Sequence, residues 1–151
     1  MPSFKHRSYK KELLDQDNIP FEDIKRNMEE LDKINTILGG HKITISGLSG
    51  LLKKKSVADA EIHVVEIGCG GGDNLRAIKN WANKNKIALS LTGIDLNPSC
   101  ILFAQHQPGN KGIEFICADY RDAIFNKKPD IIFLYAFFTV NVCIIFFLPL
   151  I

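Results

Sequence analysis

The strongest constraint on this chain lies near its middle, where Ile62-His63-Val64-Val65-Glu66-Ile67 runs directly into Gly68-Cys69-Gly70-Gly71-Gly72-Asp73. A nearly unbroken β-branched run is the pattern of a strand buried on both faces, as in a parallel sheet covered by helices. Glycine straight after such a strand permits a tight positive-φ turn and lets a ligand approach where a Cβ would otherwise stand. The following residues, from Asp73 to about Asn83, predict a helix. Amides at the start of a helix can hold a polar or anionic group. A strand, a glycine turn and a helix in that order form the first half of a βαβ unit.

The pattern then repeats. A second apolar run from Ala88 to Ile94 ends at Asp95, and a helix opens after Pro98, a residue suited to the first helical turn. A third run from Ile113 to Cys117 ends near Asp119, and a fourth begins at Asp130-Ile131-Ile132-Phe133. Strands alternating with helices predict the α/β class, with a doubly wound, mostly parallel sheet of about four strands and right-handed crossovers. Upstream, Ile24, Met28, Leu31, Ile34 and Leu38 recur every three or four residues, which predicts a helix with one apolar face over 21–38. Gly39-Gly40 stops it. Asp15 to Pro20 reads as a turn before it. The stretch from Gly40 to Lys55 fits either a short extended segment or a second helix. The expected division is therefore a helical cap over 1–55, a ligand-binding core over 56–136 and an apolar C-terminal tail over 137–151.

That tail carries no charge from Ile131 to Ile151. The expectation is a fourth buried strand followed by a segment built for contacts outside this chain, with a truncated or atypical end. A membrane span preceded by Lys127-Lys128 is the competing reading, weakened by Thr139, Asn141 and Pro149.

With 24% charged residues, a formal net charge of +2 and basic residues scattered apart from Lys53-Lys54-Lys55, no field points to nucleic acid or an acidic membrane. Cys69, Cys100, Cys117 and Cys143 occur singly. That argues against a zinc site or a disulfide framework, and it suits a reducing cytoplasm. The polar N-terminus lacks the apolar stretch of a secretory signal.

Two acids sharpen the glycine signal. Asp95 closes the second strand in Thr92-Gly93-Ile94-Asp95-Leu96, and Asp119 follows the third in Cys117-Ala118-Asp119-Tyr120. Ligands of open parallel sheets bind outside the carboxyl ends of the strands, where all three features fall. A carboxylate at Asp95 suits a pair of ribose hydroxyls, and one at Asp119 suits an adenine amino group.

Glu66-x-Gly68-x-Gly70-x-Gly72, with Asp95 and Asp119, resembles the class I S-adenosylmethionine-dependent methyltransferases over about residues 62 to 136. The resemblance implies a Rossmann-like fold and S-adenosyl-L-methionine as cofactor. It implies that the turn of Gly68, Cys69, Gly70 and Gly72 approaches the methionine part, which Glu66 helps to position. It also implies that Asp95, with Leu96 beside it, binds the ribose, and that Asp119, with Tyr120 beside it, meets the adenine. Ile34-Asn35-x-x-Leu38-Gly39-Gly40-His41 is loosely similar to small bacterial methyltransferases acting on small molecules, so the implied partner is a small-molecule acceptor. The departures are the strand count, against seven in a full domain, and Phe133-Leu134-Tyr135-Ala136-Phe137-Phe138, which offers no acid, amide or histidine after the fourth strand.

Three other readings stay open: a degenerate cofactor-binding module without turnover, a nicotinamide or flavin protein, and a membrane-anchored protein. The second is disfavoured by Asp73, which stands where a dinucleotide fingerprint needs glycine or alanine. Cys69 reads as a loop filler, His63 as a satisfied core or edge histidine and Trp81 as packing. His41 reads as structural, with covering the cofactor or acting on an acceptor as the alternatives. No catalytic residue and no metal ligand set is assigned.

Overall fold

The computed structural model of the chain describes residues 19–54, 61–138 and 142–149. The turn expected from Asp15 falls almost wholly outside them. Helix α1 spans Phe21–Leu38 and ends on Gly39, whose φ of 80° is the left-handed geometry that lets the chain turn sharply. Helix α2 follows at once over Gly40–Lys54, which settles the choice left open by the sequence.

Strand β1 (Ile62–Ile67), helix α3 (Asp73–Asn85), strand β2 (Leu89–Asp95), helix α4 (Pro98–His106) and strand β3 (Glu114–Cys117) follow in the expected alternation. Asn97 caps α4 by accepting a hydrogen bond from the Ser99 amide, with Pro98 in the first turn. Strands β4 (Ile131–Phe138) and β5 (Val142–Pro149) complete a sheet of order β3-β2-β1-β4-β5. The first four strands are parallel, and β5 runs antiparallel to β4. This is a Rossmann-like doubly wound sheet with an N-terminal helical segment.

A fifth strand joins the four parallel ones expected, because the apolar C-terminal stretch pairs antiparallel with β4. Among the described residues no helix is long and apolar enough to cross a membrane. The alternation also fails once: β3 reaches β4 through an irregular connection over 118–130, which has too few apolar residues at helical spacing to hold a helix on the sheet.

The apolar core lies between β1 and the helices, where Val64, Leu75, Ile78 and Leu48 are sealed from water. Each such side chain contributes about 1.5–3 kcal/mol relative to exposure. Trp81 packs on this core. A second cluster joins Ile24 and Met28 of α1 to Cys100 and Phe103 of α4. The apolar stripe of α1 is therefore shorter than its periodicity predicts: Ile34 and Leu38 are exposed, and Asn35 is buried in their stead. The first half of α1 meets apolar α4, whereas its second half meets the polar start of α3.

Candidate functional site

Chain order reverses between β1 and β4, so the glycine turn at the end of β1 sits at the sheet's topological switch point. Its glycines are in the left-handed region, with φ of 70° at Gly68, 50° at Gly70 and 73° at Gly72. Gly72 has no room for a side chain, since a Cβ there would lie 2.7 Å from the Phe115 ring and 2.9 Å from Asn110 Nδ2. Gly68 is different: it is exposed, and its Cβ would meet only Leu134 Cδ1 at 3.8 Å.

The turn is closed upon itself. The amides of Gly68 and Cys69 both donate to the Ile94 carbonyl, and the Gly72 amide donates to the Cys69 carbonyl. Asn110 donates from Nδ2 to the Gly71 and Ala104 carbonyls and accepts from Arg76. These bonds serve the turn itself. Asp95 adds to it from the neighbouring strand. Its Oδ2 accepts from the Gly70 amide at 2.9 Å and its Oδ1 from the Asn97 amide at 2.9 Å.

Three acids thus surround the turn: Glu66, Asp73 and Asp95. Glu66 is 2% exposed and accepts from Asn74 Nδ2 at 3.0 Å. Burial pushes its carboxyl well above the ordinary value, and the neighbouring Asp73 and Asp95 add to that. Burial likewise pushes the Cys69 thiol up strongly and takes the Cys100 thiol to about 12, which keeps both in the less nucleophilic thiol form. Asp73 goes the other way. Burial raises it, but hydrogen bonds from His41 and Asn35 outweigh that and hold its carboxyl below the ordinary value.

The second half of α1 and the start of α2 are clasped to this region. His41 Nε2 and Asn35 Nδ2 each lie 2.9 Å from Asp73 Oδ2, and Arg76 pairs with Asp32. The ligating atoms of Asp32, His41 and Asp73 lie within 4.8 Å of one another, and the His41–Asp73 hydrogen bond and the Arg76–Asp32 ion pair make the group a clasp. Met28, one helical turn before Asp32, stands over Gly70 and Gly71.

The end of β3 comes alongside the end of β2: the Ala118 amide donates to the Asp95 carbonyl and the Cys117 thiol to the Leu96 carbonyl. This brings Asp119 next to Asp95 and Leu96 in the fold. The Asp119 carboxylate is engaged by the guanidinium and amide of Arg121, which hold it down at about 2. Leu96 and Tyr120 are exposed at 71% and 55%. Of the residues singled out from sequence, the structure gathers Glu66, Cys69, Gly70, Gly72 and Asp95 tightly, and sets Leu96, Asp119 and Tyr120 along the rim. Asn74, Asn110 and Met28 were missed. The position of Asn74, just inside the helix that follows the glycines, was the available clue.

A parallel α/β sheet with a glycine turn and a strand-end acid at its switch point defines the class of nucleotide-type ligand binders. The chain belongs to the methyltransferase domain family, whose family model matches residues 64–143. No curated protein sequence matches it. Among solved structures it is similar to the plantazolicin methyltransferase BpumL in complex with S-adenosylhomocysteine, at 27% identity and TM-score 0.50, over 75% of this chain and 40% of that one. The same enzyme with a triazolic desmethylplantazolicin analogue and S-adenosylhomocysteine gives 27% identity and TM-score 0.50, over 74% and 39%. A candidate S-adenosyl-L-methionine-dependent methyltransferase from Methanococcus maripaludis shares the fold at 16% identity and TM-score 0.55, over 80% and 52%. The chain spans about two fifths to one half of the length of these proteins.

Proposed function

We propose that the chain binds S-adenosyl-L-methionine at the glycine turn and takes part in methyl transfer to a small-molecule acceptor. The observation that carries this reading is Asp95 beside the positive-φ glycines at the switch point. Its two oxygens each accept one backbone amide. A carboxylate has about four lone-pair sites, which leaves capacity for two ribose hydroxyls. Gly68, open to solvent, leaves space for the methionine part, with Gly70, Gly72 and Cys69 shaping the turn and Glu66 supporting it from below. Exposed Leu96 and Tyr120 offer apolar flanks to an adenine, and Asp119 stands at its rim. The bound cofactor supplies an electrophilic sulfonium methyl.

The protein's own contribution is alignment and exclusion of water, which need no enzyme nucleophile. Helix α1 is suited to cover the site, because Met28 lies on the turn and the Asp32, Asn35 and His41 contacts tie the cap down. In this reading residues 1–55 are the lid, 56–136 the cofactor core and 137–151 an apolar C-terminal segment. The free thiols of Cys69, Cys100 and Cys117 suit a cytoplasmic setting. The plantazolicin methyltransferase complexes support the cofactor assignment by likeness.

Calorimetric titration with S-adenosylhomocysteine tests the reading. We expect saturable binding, weakened at least ten-fold by Asp95→Ala (about 1.4 kcal/mol), and no heat from NADH. Binding of NADH alone would sink it.

A further inference from the structure

Strand β1 carries Glu66 into the interior beneath the glycine turn, and α3 brings Asn74 against it. Both are 2% exposed. They share one hydrogen bond, from Asn74 Nδ2 to Glu66 Oε1 at 3.0 Å. Glu66 Oε2 and Asn74 Oδ1 are each buried without a hydrogen-bond partner among the described residues. Acid and amide thus meet with one acceptor left over on each.

The surrounding charges are of the wrong sign to help. Asp73 adjoins Asn74 on α3, Asp95 ends β2, and the Cys69 thiol lies in the turn. On the other side β4 pairs Glu66 with Phe133, which is apolar. In the clasp, His41 is engaged by Asp73 and the Arg76 guanidinium by Asp32. A carboxylate at this place would be desolvated, held by one N–H and faced by two like charges, which is costly. A single proton supplies the donor that both orphan oxygens lack.

We propose that Glu66 is a neutral carboxylic acid that donates to Asn74 Oδ1 while accepting from Asn74 Nδ2. The acid–amide pair bolts the end of β1 to the start of α3 and so fixes the geometry of the turn between them. Asn74 is then a positioning residue that acts on the ligand only through the turn. That functional consequence rests on the cofactor reading above; the proton on Glu66 does not. Burial, which raises the Glu66 carboxyl, agrees with the geometry. Because the folded-state value lies above the unfolded one, the pair's stabilisation is full below about pH 4.3. It is lost as pH rises through the folded value.

Infrared difference spectroscopy of the wild-type chain against Glu66→Gln at neutral pH reads the proton directly. The expected result is a protonated-carboxyl C=O band that disappears in Glu66→Gln and shifts in Asn74→Ala. A difference spectrum showing only the loss of a carboxylate band would overturn the proposal. Should the variants not fold, carboxyl-carbon NMR of labelled glutamate in the wild-type chain serves instead. One glutamate should then stay protonated as pH rises past the unfolded-chain value of about 4.3; a titration in which no glutamate does so would refute it. Absence of S-adenosylhomocysteine binding with the protonated band intact would count against the cofactor reading and leave the acid–amide pair standing.

Discussion

Strand β1 buries two polar side chains, His63 near its start and Glu66 near its end, and the sheet treats them differently. Each polar group of His63 itself finds a partner. Its amide donates to Asp130 Oδ2 at 2.9 Å, its Nδ1 meets the Lys127 carbonyl at 3.0 Å and its Nε2 meets Thr92 Oγ1 at 2.9 Å. Thr92 in turn donates to Glu114, and the Phe125 ring stands edge-on to the imidazole. Around Glu66, by contrast, two buried oxygens lack a donor unless the acid keeps its proton, three acids converge and the backbone turns through left-handed geometry. Complete satisfaction marks a place where the fold is held together. Converging acids and unusual backbone mark a place shaped for something else, because such features cost free energy and persist where the surroundings enforce them.

Substitutions at the two ends should separate these roles. The largest effect is expected at Gly72→Ala, which combines a left-handed φ with a Cβ driven into Phe115 and Asn110. Strain of about 1–2 kcal/mol and overpacking of about 1–3 kcal/mol should lower the denaturant midpoint sharply and abolish S-adenosylhomocysteine binding. His63→Leu should cost about 1–3 kcal/mol by stranding its hydrogen-bond partners. Affinity for S-adenosylhomocysteine should stay within about two-fold in the folded protein. A large loss of affinity there would break the contrast between the two ends.

Smaller effects follow from pH. Asp73 is held below its ordinary value in the folded state. It therefore contributes stability above the unfolded value near 3.9 and loses it as pH falls further. Thermal unfolding of Asp73→Asn should show a flatter acid limb than wild type. Glu66 predicts the opposite slope, with stability falling as pH rises above the unfolded value of about 4.3, so the two acids of one turn should be separable by pH alone. The smallest change is expected from Arg121→Ala. The Asp119 carboxyl, now held at about 2, should return toward the ordinary value near 3.9 by NMR titration, with no measurable change in unfolding temperature.

Much of this was legible in the sequence. The β-branched run before Gly68, the strand-end position of Asp95 and the spacing of the cap helix gave the sheet class, the turn and α1, because each is a local signal with one dominant physical reading. The hairpin partner β5 was not legible. An apolar run without charges satisfies a strand, a buried helix and a membrane helix alike, and only pairing with β4 distinguishes them. The missing helix between β3 and β4 shows the limit of extrapolating an alternation. Asn74, Asn110 and the His41–Asp73 contact were hidden for a different reason. Their roles depend on partners brought close by folding, and no spacing rule announces a long-range hydrogen bond.

The most direct test of the central claim is to map backbone amide chemical shifts on titration with S-adenosylhomocysteine. The account predicts perturbations at Gly68 to Gly72, Asp95, Leu96 and the Asp119–Tyr120 rim, with the amides of His63, Thr92 and Asp130 unmoved. Saturating ligand that leaves the glycine turn unshifted, or shifts concentrated around His63, would contradict it.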